Sequence, residues 1–229
     1  MYAVNAGGTA ALLAACARAG VARFVYTSTV GTVGRPAREG AAAPDESLPF
    51  NLWEQASPYV RSKFVAECMA LSWQAAGLDV VVVKPTAPVG AGDARPSATG
   101  RRILAALAGE PIPYPAGGIN HAPVRDIAAG HVLAALRGRP GACYILGHAA
   151  GNLDRAAFLR MVAASADMPS PAADAARQPA AALALTANPA RAVRELGLPQ
   201  TDLAAAFREE VAWYRAQAAR RPAQRERRG

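Results

Sequence analysis

The sequence predicts an α/β fold: a partial, doubly wound parallel sheet joined to a smaller and mostly helical part. Three short runs rich in apolar and β-branched residues, at 23–28, 79–84 and 143–147, have the composition of buried strands. Segments in which apolar residues recur at helical spacing separate these runs along the chain. Strands and helices that alternate in this way are typical of a parallel sheet covered by helices on its faces.

The first half of the chain alternates helix, strand, helix and strand. A helix over 3–19 ends at Gly20 and a second helix over 59–76 ends at Gly77, because glycine commonly terminates helices. Each helix is followed by one of the predicted strands. The segment 31–58, between the first strand and the second helix, is too long for a simple connection, which indicates a functional loop.

The second half of the chain contains shorter elements. Asp126 is placed to cap the N-terminus of a helix over 126–136. The Ala-rich segment 178–186 fits neither the helical nor the strand pattern clearly. The remaining predicted helices lie at 101–108, 154–165, 190–196 and 203–215.

The chain is basic, with 25 Lys and Arg against 17 Asp and Glu and a formal net charge of +8. Much of this excess lies at 218–229, which has no apolar periodicity and is predicted to be a disordered basic tail. A nucleic-acid-associated protein is the competing interpretation, but no basic stripe interleaved with aromatic residues occurs elsewhere. The sequence therefore predicts no nucleic-acid partner.

Several other classes of protein are disfavoured by the sequence. The three cysteines and three histidines are far apart, so they predict neither a metal site nor a disulfide framework. The apolar stretch 10–17 is not preceded by cationic residues, unlike a secretory signal. No run reaches the roughly 18 apolar residues of a membrane span. We therefore expect a cytoplasmic protein without a membrane span.

The residues that predict chemistry are Tyr59 and Lys63, which lie four positions apart on the second helix and therefore on one face of it. A nearby cation favours the phenolate, so Lys63 is expected to lower the pKa of Tyr59 from its ordinary value of about 10. Tyr59 would then donate or accept a proton near neutral pH. The alternative is an exposed lysine after a packed tyrosine. Against it, Lys63 and Lys84 are the only lysines in a chain that otherwise uses arginine.

Three residues with hydroxyl groups, Thr27, Ser28 and Thr29, end the first predicted strand. Ligands of doubly wound sheets bind outside the carboxyl ends of the strands, so these hydroxyls are expected near a binding crevice. By itself, the triplet is equally typical of a turn.

In combination, the hydroxyl triplet, Tyr59 and Lys63 resemble the Ser/Thr–Tyr–Lys triad of the extended short-chain dehydrogenases/reductases, the NAD-dependent epimerase/dehydratase family with its Rossmann-like sheet. Six further stretches are similar to motifs of this family in the expected order: 4–9, 24–29, 84–90, 124–128, 192–197 and 211–214. The stretches 88–101 and 117–120 look closest to hopanoid-associated sugar epimerases and dihydroflavonol reductase-like members.

The resemblance implies a role for each matching catalytic residue. Tyr59 would be the acid/base, and Lys63 would lower its pKa and hydrogen-bond the nicotinamide ribose. Thr29 would hydrogen-bond the substrate oxygen, and Asn5 would support a proton relay behind Lys63. The predicted catalytic residues are therefore Asn5, Thr29, Tyr59 and Lys63.

The cofactor implied by the resemblance is NAD or NADP, with Pro85 and Thr86 flanking the nicotinamide. The implied reaction is oxidoreduction or epimerisation at a hydroxyl or keto carbon of a sugar-nucleotide or a related small molecule. The predicted cofactor-binding residues are Asn5, Thr29, Tyr59, Lys63, Pro85 and Thr86.

The resemblance also implies a domain organisation and a homodimer, in which the helices at 3–19 and 59–76 pair across a two-fold axis. The C-terminal half of the dinucleotide-binding fold, with the catalytic helix, would be 1–87, and its last helix and strand 119–148. A substrate-binding insertion would be 88–118, a C-terminal substrate-binding part 149–217 and the basic tail 218–229.

The sequence departs from the family in three respects. Thr29 stands where serine is commoner, and Ala87 stands where the UDP-galactose 4-epimerases have a substrate-binding asparagine. No Gly-x-x-Gly-x-x-Gly or Gly-x-Gly-x-x-Gly motif occurs between a strand and a helix, so the usual pyrophosphate-binding turn is missing. We therefore expect an N-terminally truncated chain, through fragmentation or a misplaced start, that binds its cofactor weakly and is inactive or slow alone. The alternative is a non-catalytic truncated relative that acts as a ligand-sensing or interaction module.

Overall fold

The computed structural model of the protein describes residues 1–36, 41–169 and 183–226. Within these ranges the strands are β1 (Arg23–Thr27), β2 (Asp79–Pro85), β3 (Ala87–Val89), β4 (Ile119–Pro123), β5 (Cys143–Leu146) and β6 (Asn152–Leu153). The α-helices are α1 (Gly8–Arg18), α2 (Pro58–Ser72), α3 (Ala98–Leu107), α4 (Val124–Arg137), α5 (Arg155–Ser165), α6 (Ala190–Leu196) and α7 (Leu203–Glu226).

The main sheet contains the three strands that the sequence predicted, in the order β1–β2–β5 with both pairs of neighbours parallel. Phe24 is in register with Val80, and Val83 is in register with Tyr144. The valines of the central strand β2 are fully buried. Because a central parallel strand is covered on both faces, its sequence is continuously apolar. The prediction of a partial doubly wound parallel sheet is confirmed.

Helices cover both faces of the main sheet. Successive residues of β2 point to opposite sides of the sheet, so their contacts show which helices lie on each face. On one side, Val80 and Val82 pack against residues of α1 and α2. On the other side, Val81 and Val83 pack against residues of α4 and α6. This two-sided cover is the arrangement expected when strands and helices alternate along a chain.

A second, smaller sheet was not predicted from the sequence. It has the order β3–β4–β6, with β3 and β4 parallel and β4 and β6 antiparallel. The sheet lies against a second apolar core to which α3, α5 and α7 contribute. In this region His121 stacks on Phe158, and burial lowers the pKa of His121 to about 3, so its ring is neutral.

Helix α2 begins one residue earlier than the sequence predicted. Ser57 caps its N-terminus by accepting a hydrogen bond from the backbone N–H of Val60 at 3.3 Å. Pro58 occupies the first helical position, where its missing N–H costs no hydrogen bond. The last four residues of the predicted helix form a 3₁₀ turn, Trp73–Ala76, after the α-helix has ended.

Two predictions about helix ends are wrong. Asp126 does not cap α4, because the helix already begins at Val124, directly after β4. The Asp126 carboxylate instead accepts hydrogen bonds from the backbone N–H and the hydroxyl of Thr201. Helix α7 continues to Glu226, beyond the end predicted at 215. The disorder of the basic tail 218–229 stays a prediction.

Parts of four predicted segments lie outside the described residues: 37–40 of the loop 31–58, 170–182 of the C-terminal part 149–217, 178–182 of the Ala-rich segment and 227–229 of the tail. Within the described ranges, no helix combines the length and the apolarity needed to cross a membrane.

Candidate active site

All predicted site residues except Asn5 lie at one edge of the main sheet, where β1 and β2 end and α2 begins. Thr29 follows β1 and caps a 3₁₀ turn, Val30–Thr32, by accepting a hydrogen bond from the N–H of Gly31 at 3.3 Å. A Cβ on Gly31 would lie 2.8 Å from Cγ2 of Val60, so the turn packs directly against the first turn of α2. Glycine at this position therefore lets Thr29 approach the helix that carries Tyr59.

Tyr59 lies in the first turn of α2, and 45% of the residue is exposed. Its hydroxyl has no hydrogen-bond partner in the part of the chain that the structure describes. Partial burial raises the pKa of the phenol above its ordinary value. The prediction that Lys63 lowers the pKa of Tyr59 is therefore wrong for this structure.

The direction of the Lys63 side chain explains this result. Its ammonium donates a hydrogen bond to the backbone carbonyl of Thr27 and lies 4.7 Å from the centre of the Tyr26 ring. Burial lowers the pKa of Lys63, and the nearby Glu67 carboxylate opposes this effect. Lys63 thus interacts with the end of β1 rather than with the phenol of Tyr59.

Asn5 lies on a π-helical turn, Ala3–Gly7, which precedes α1. Its side-chain amide donates a hydrogen bond to Oγ of Ser62 at 2.9 Å, and the Ser62 hydroxyl donates one to the backbone carbonyl of Tyr59 at 2.8 Å. The structure therefore brings Asn5 to the helix of the predicted catalytic residues, but joins it to Ser62 rather than to Lys63. The role of Asn5 in a proton relay stays a prediction.

Pro85 and Thr86 lie at the carboxyl end of β2, on the same edge of the main sheet. Thr86 is buried, and its backbone N–H and its hydroxyl both donate to the carbonyl of Leu146, at 3.1 and 3.2 Å. Thr86 therefore fastens the end of β2 to β5. Contact of Pro85 or Thr86 with a nicotinamide stays a prediction.

A buried polar cluster connects the segments that carry these residues, and it was not predicted. The Lys84 ammonium lies 2.6 Å from the Glu67 carboxylate, and the two side chains are only 7% and 6% exposed. The same carboxylate accepts hydrogen bonds from the hydroxyls of Ser28 at 2.5 Å and Thr32 at 2.8 Å. The cluster therefore ties the end of β1 to helix α2 and to the end of β2.

Two features of the sequence could have indicated this cluster. Lys84 is one of only two lysines in the chain, and Glu67 follows Lys63 by four positions, about one helical turn. Neither feature shows that Glu67 and Lys84 meet, because the contact between them depends on how helix α2 packs on strand β2. The sequence alone therefore left these two residues without an assigned role.

Replacing Glu67 by Gln is expected to destabilise the protein by about 3–5 kcal/mol, because the Lys84 ammonium would be buried without a counter-charge. Thermal unfolding should then occur roughly 10 °C below that of the wild type. The matched control is Glu54→Gln, an exposed glutamate shortly before the same helix, which should unfold like the wild type. The double variant Glu67→Leu/Lys84→Met removes both charges and should recover most of the lost stability. Equal melting temperatures for Glu67→Gln and the wild type would contradict this role of the ion pair.

The parallel sheet, with hydroxyl groups, a tyrosine and a lysine at its carboxyl edge, places the protein among the Rossmann-type α/β folds of epimerases and dehydratases. The family model described as the NAD dependent epimerase/dehydratase family matches residues 1–147. The chain belongs to this family.

Similar proteins are found among curated sequences and among solved structures. A Synechocystis protein described as "Putative dihydroflavonol 4-reductase" is 32% identical, and the match covers 93% of this chain and 70% of that protein. The crystal structure of gox2253 superposes with a TM-score of 0.81 and 29% identity, over 95% of this chain and 73% of that one. MoeE5, solved in complex with UDP-glucose and NAD, has a TM-score of 0.74 and 26% identity, over 93% of this chain and 72% of that one. These findings confirm the predictions of the family, the fold class and NAD or NADP as its cofactor.

The residues at the sheet edge fit one side of such a cofactor. Thr29, Tyr59 and Lys63 offer two hydroxyls and an ammonium, which are the donors and acceptors that a ribose and a carbonyl oxygen require. Gly7 and Gly8 do not form a phosphate cradle, since a Cβ at either position would meet nothing within 4 Å. These side chains therefore suit the nicotinamide side of a dinucleotide, whereas the sequence contains neither Gly-x-x-Gly-x-x-Gly nor Gly-x-Gly-x-x-Gly for the pyrophosphate.

Proposed function

We propose that the protein is an NAD(P)-dependent oxidoreductase or epimerase that acts on a hydroxyl or keto carbon of a sugar-nucleotide or a related small molecule. The observation that carries this proposal is the packing of the Thr29 turn against the start of α2, which brings a second hydroxyl to the helix of Tyr59 and Lys63. Both hydroxyls lie at the carboxyl edge of the sheet, where doubly wound folds bind ligands. Membership of the NAD dependent epimerase/dehydratase family supports the proposal.

In this proposal Tyr59 is the acid/base. When bound, NAD(P) supplies or accepts the hydride. In the reductive direction, the Tyr59 hydroxyl donates its proton to the substrate carbonyl oxygen, and the Thr29 hydroxyl donates a hydrogen bond to the same oxygen. In the oxidative direction, the phenolate of Tyr59 accepts the proton of the substrate hydroxyl.

The remaining predicted site residues would hold the nicotinamide side of the cofactor. The Lys63 ammonium has three N–H donors, so its bond to the carbonyl of Thr27 leaves two for the nicotinamide ribose. Pro85 and Thr86 would form a wall beside the nicotinamide ring. Asn5, bonded to Ser62, would support the proton relay behind the lysine.

The substrate class is supported by two different relatives. MoeE5 was solved in complex with UDP-glucose and NAD, which favours a sugar-nucleotide. The name of the Synechocystis relative favours reduction of a related small ketone. We assign substrate binding to the segments 88–118 and 149–217, which contribute most of the second apolar core.

The test is a turnover assay on a chimera that carries, ahead of Met1, a Gly-rich strand–turn–helix unit from an NAD-binding member of the family. UDP-glucose and a dihydroflavonol are offered as substrates, each with NAD(H) and NADP(H). We expect cofactor-dependent conversion of at least one substrate. If the chimera binds cofactor and substrate but converts neither substrate, the proposal fails and the alternative is favoured.

The alternative is a non-catalytic relative that acts as a ligand-sensing or interaction module. The missing Gly-rich motif is the observation that favours it. A sensing module has no need of Thr29, Tyr59 and Lys63 together, and their joint presence favours the enzyme.

We also propose a homodimer in which the helices α1 and α2 pair across a two-fold axis. These helices pack against each other within the chain. Val4, on the turn before α1, and Leu12 of α1 remain 75% and 53% exposed, and a second copy would cover them. Sedimentation should then show a dimer for the wild type and a shift towards monomer for Leu12→Glu, and a monomeric wild type would exclude this assembly.

A further inference from the structure

Two adjoining cavities lie beside the proposed active site. The inner cavity, of about 360 Å³, reaches Gly31 and Val60, where the Thr29 turn contacts helix α2. The outer cavity, of about 450 Å³, extends to Asn152. Arg35 lines both cavities and therefore stands at their junction.

The guanidinium of Arg35 is held in place by backbone carbonyls. Its Nε donates a hydrogen bond to the carbonyl of Ala184 at 2.6 Å. Its Nη1 donates to the carbonyls of Val33 at 3.2 Å and Gly34 at 3.0 Å. No hydrogen bond from Nη2 to a described residue is formed, so two N–H donors of a fixed guanidinium remain for a ligand.

The charge of Arg35 also lacks a counter-ion among the described residues. Burial lowers the pKa of Arg35 to about 10, and no carboxylate in the part of the chain that the structure describes opposes this effect. The buried Lys84, by contrast, is neutralised by Glu67 at 2.6 Å. A partly buried cation without a counter-ion gains more from an arriving anion than an exposed one, because water screens it less.

We propose that Arg35 binds an anionic group of the substrate, a phosphate or a carboxylate, at the junction of the two cavities. This inference rests on the proposed function, since it assigns the inner cavity to the reacting end of the substrate and the outer cavity to the rest of the molecule. Both kinds of anion suit a guanidinium, whose planar N–H donors match two oxygens of either group.

The test measures anion binding to the 229-residue protein by isothermal titration calorimetry, with inorganic pyrophosphate and succinate as the phosphate and carboxylate probes. We expect at least one probe to bind the wild type. The same probe should bind Arg35→Gln about tenfold more weakly, because the variant loses a charge-assisted hydrogen bond to the anion. Arg101→Gln is the matched control, because Arg101 is an exposed arginine that donates to the carbonyl of Pro96 at 2.8 Å. It should bind the probes like the wild type.

Glutamine keeps an N–H donor for the carbonyl of Ala184, and the melting temperature shows whether Arg35→Gln is folded. If it is not, Arg35→Lys takes its place, because lysine keeps the charge but loses the planar fork; it too should bind more weakly. Wild-type affinity in the folded variant, or no binding of either probe to the wild type, would overturn the inference.

Tyr59→Phe should bind the probe like the wild type. A failure at Arg35 is therefore distinguishable from a failure of the proposed chemistry.

Discussion

Turnover by Tyr59→Phe is expected to be about 10²–10⁴-fold slower than turnover with Tyr59 present, because the substitution removes the proposed proton donor and acceptor. The tyrosine is 45% exposed, and its hydroxyl bonds no other described residue. Stability should therefore change little. Cofactor affinity should be largely retained, because Lys63 and Thr86 remain to hold the nicotinamide side. The measurements are kcat and the melting temperature of the chimera with the Gly-rich unit.

Tyr2→Phe is the matched control for this experiment. Tyr2 is 44% exposed, about as much as Tyr59, and is not one of the candidate site residues. The substitution Tyr2→Phe therefore removes the same hydroxyl group from a comparable position outside the candidate site. We expect it to keep the turnover and the melting temperature of the chimera. Wild-type kcat in Tyr59→Phe would remove Tyr59 from the mechanism, and an equal loss of kcat in both variants would show that the effect is not specific to the site.

The second large effect concerns the cofactor. The 229-residue chain is expected to bind NAD and NADP weakly, and to bind nicotinamide mononucleotide about as well as either dinucleotide. The reason is that its donors, Thr29, Tyr59 and Lys63, suit the nicotinamide side alone. Backbone N–H groups of a Gly-rich turn, which normally bind the pyrophosphate, are absent from the sequence.

Calorimetry with the mononucleotide, both dinucleotides and ADP-ribose measures this directly. ADP-ribose should not bind, and Lys63→Met should lower the affinity for the mononucleotide. The chimera should bind NAD or NADP more tightly than the 229-residue chain does, and its affinity for the mononucleotide should be unchanged. Micromolar binding of a dinucleotide by the 229-residue chain would show that another part of the protein replaces the Gly-rich turn.

The main sheet was predictable because the information for it is local. Strand β2 has seven residues and contains a run of valines. A continuous apolar run of this kind identifies a buried parallel strand from the sequence alone. In the small sheet, β3 and β6 have three and two residues, which is too short for any periodicity to appear. Strand β4 contains Asn120, whose side-chain amide bonds the distant carbonyl of His148, and His121, whose Nε2 pairs with the hydroxyl of Tyr114. These partners lie outside the strand, so no pattern within it indicates a buried strand.

The positions of the predicted site residues in the fold were also predictable, but their electrostatics were not. Spacing and resemblance located Thr29, Tyr59 and Lys63 at one edge of the sheet. The pKa of Tyr59 depends on where the ammonium of Lys63 points, and that direction is set by the carbonyl of Thr27 and the ring of Tyr26 on β1. No pattern within helix α2 could have revealed these partners.

The most direct test of the central claim, that Tyr59 exchanges the proton at the substrate oxygen, is the pH dependence of turnover by the chimera with and without Tyr59. Because burial raises the pKa of Tyr59 above its ordinary value of about 10, the phenol stays protonated through neutral pH. We predict that reduction is constant across neutral pH and falls as the pH rises through this raised pKa, whereas oxidation rises over the same interval. In Tyr59→Phe, neither the alkaline fall in the rate of reduction nor the alkaline rise in the rate of oxidation should remain. The same alkaline step in both proteins would contradict the assignment of Tyr59 as the acid/base.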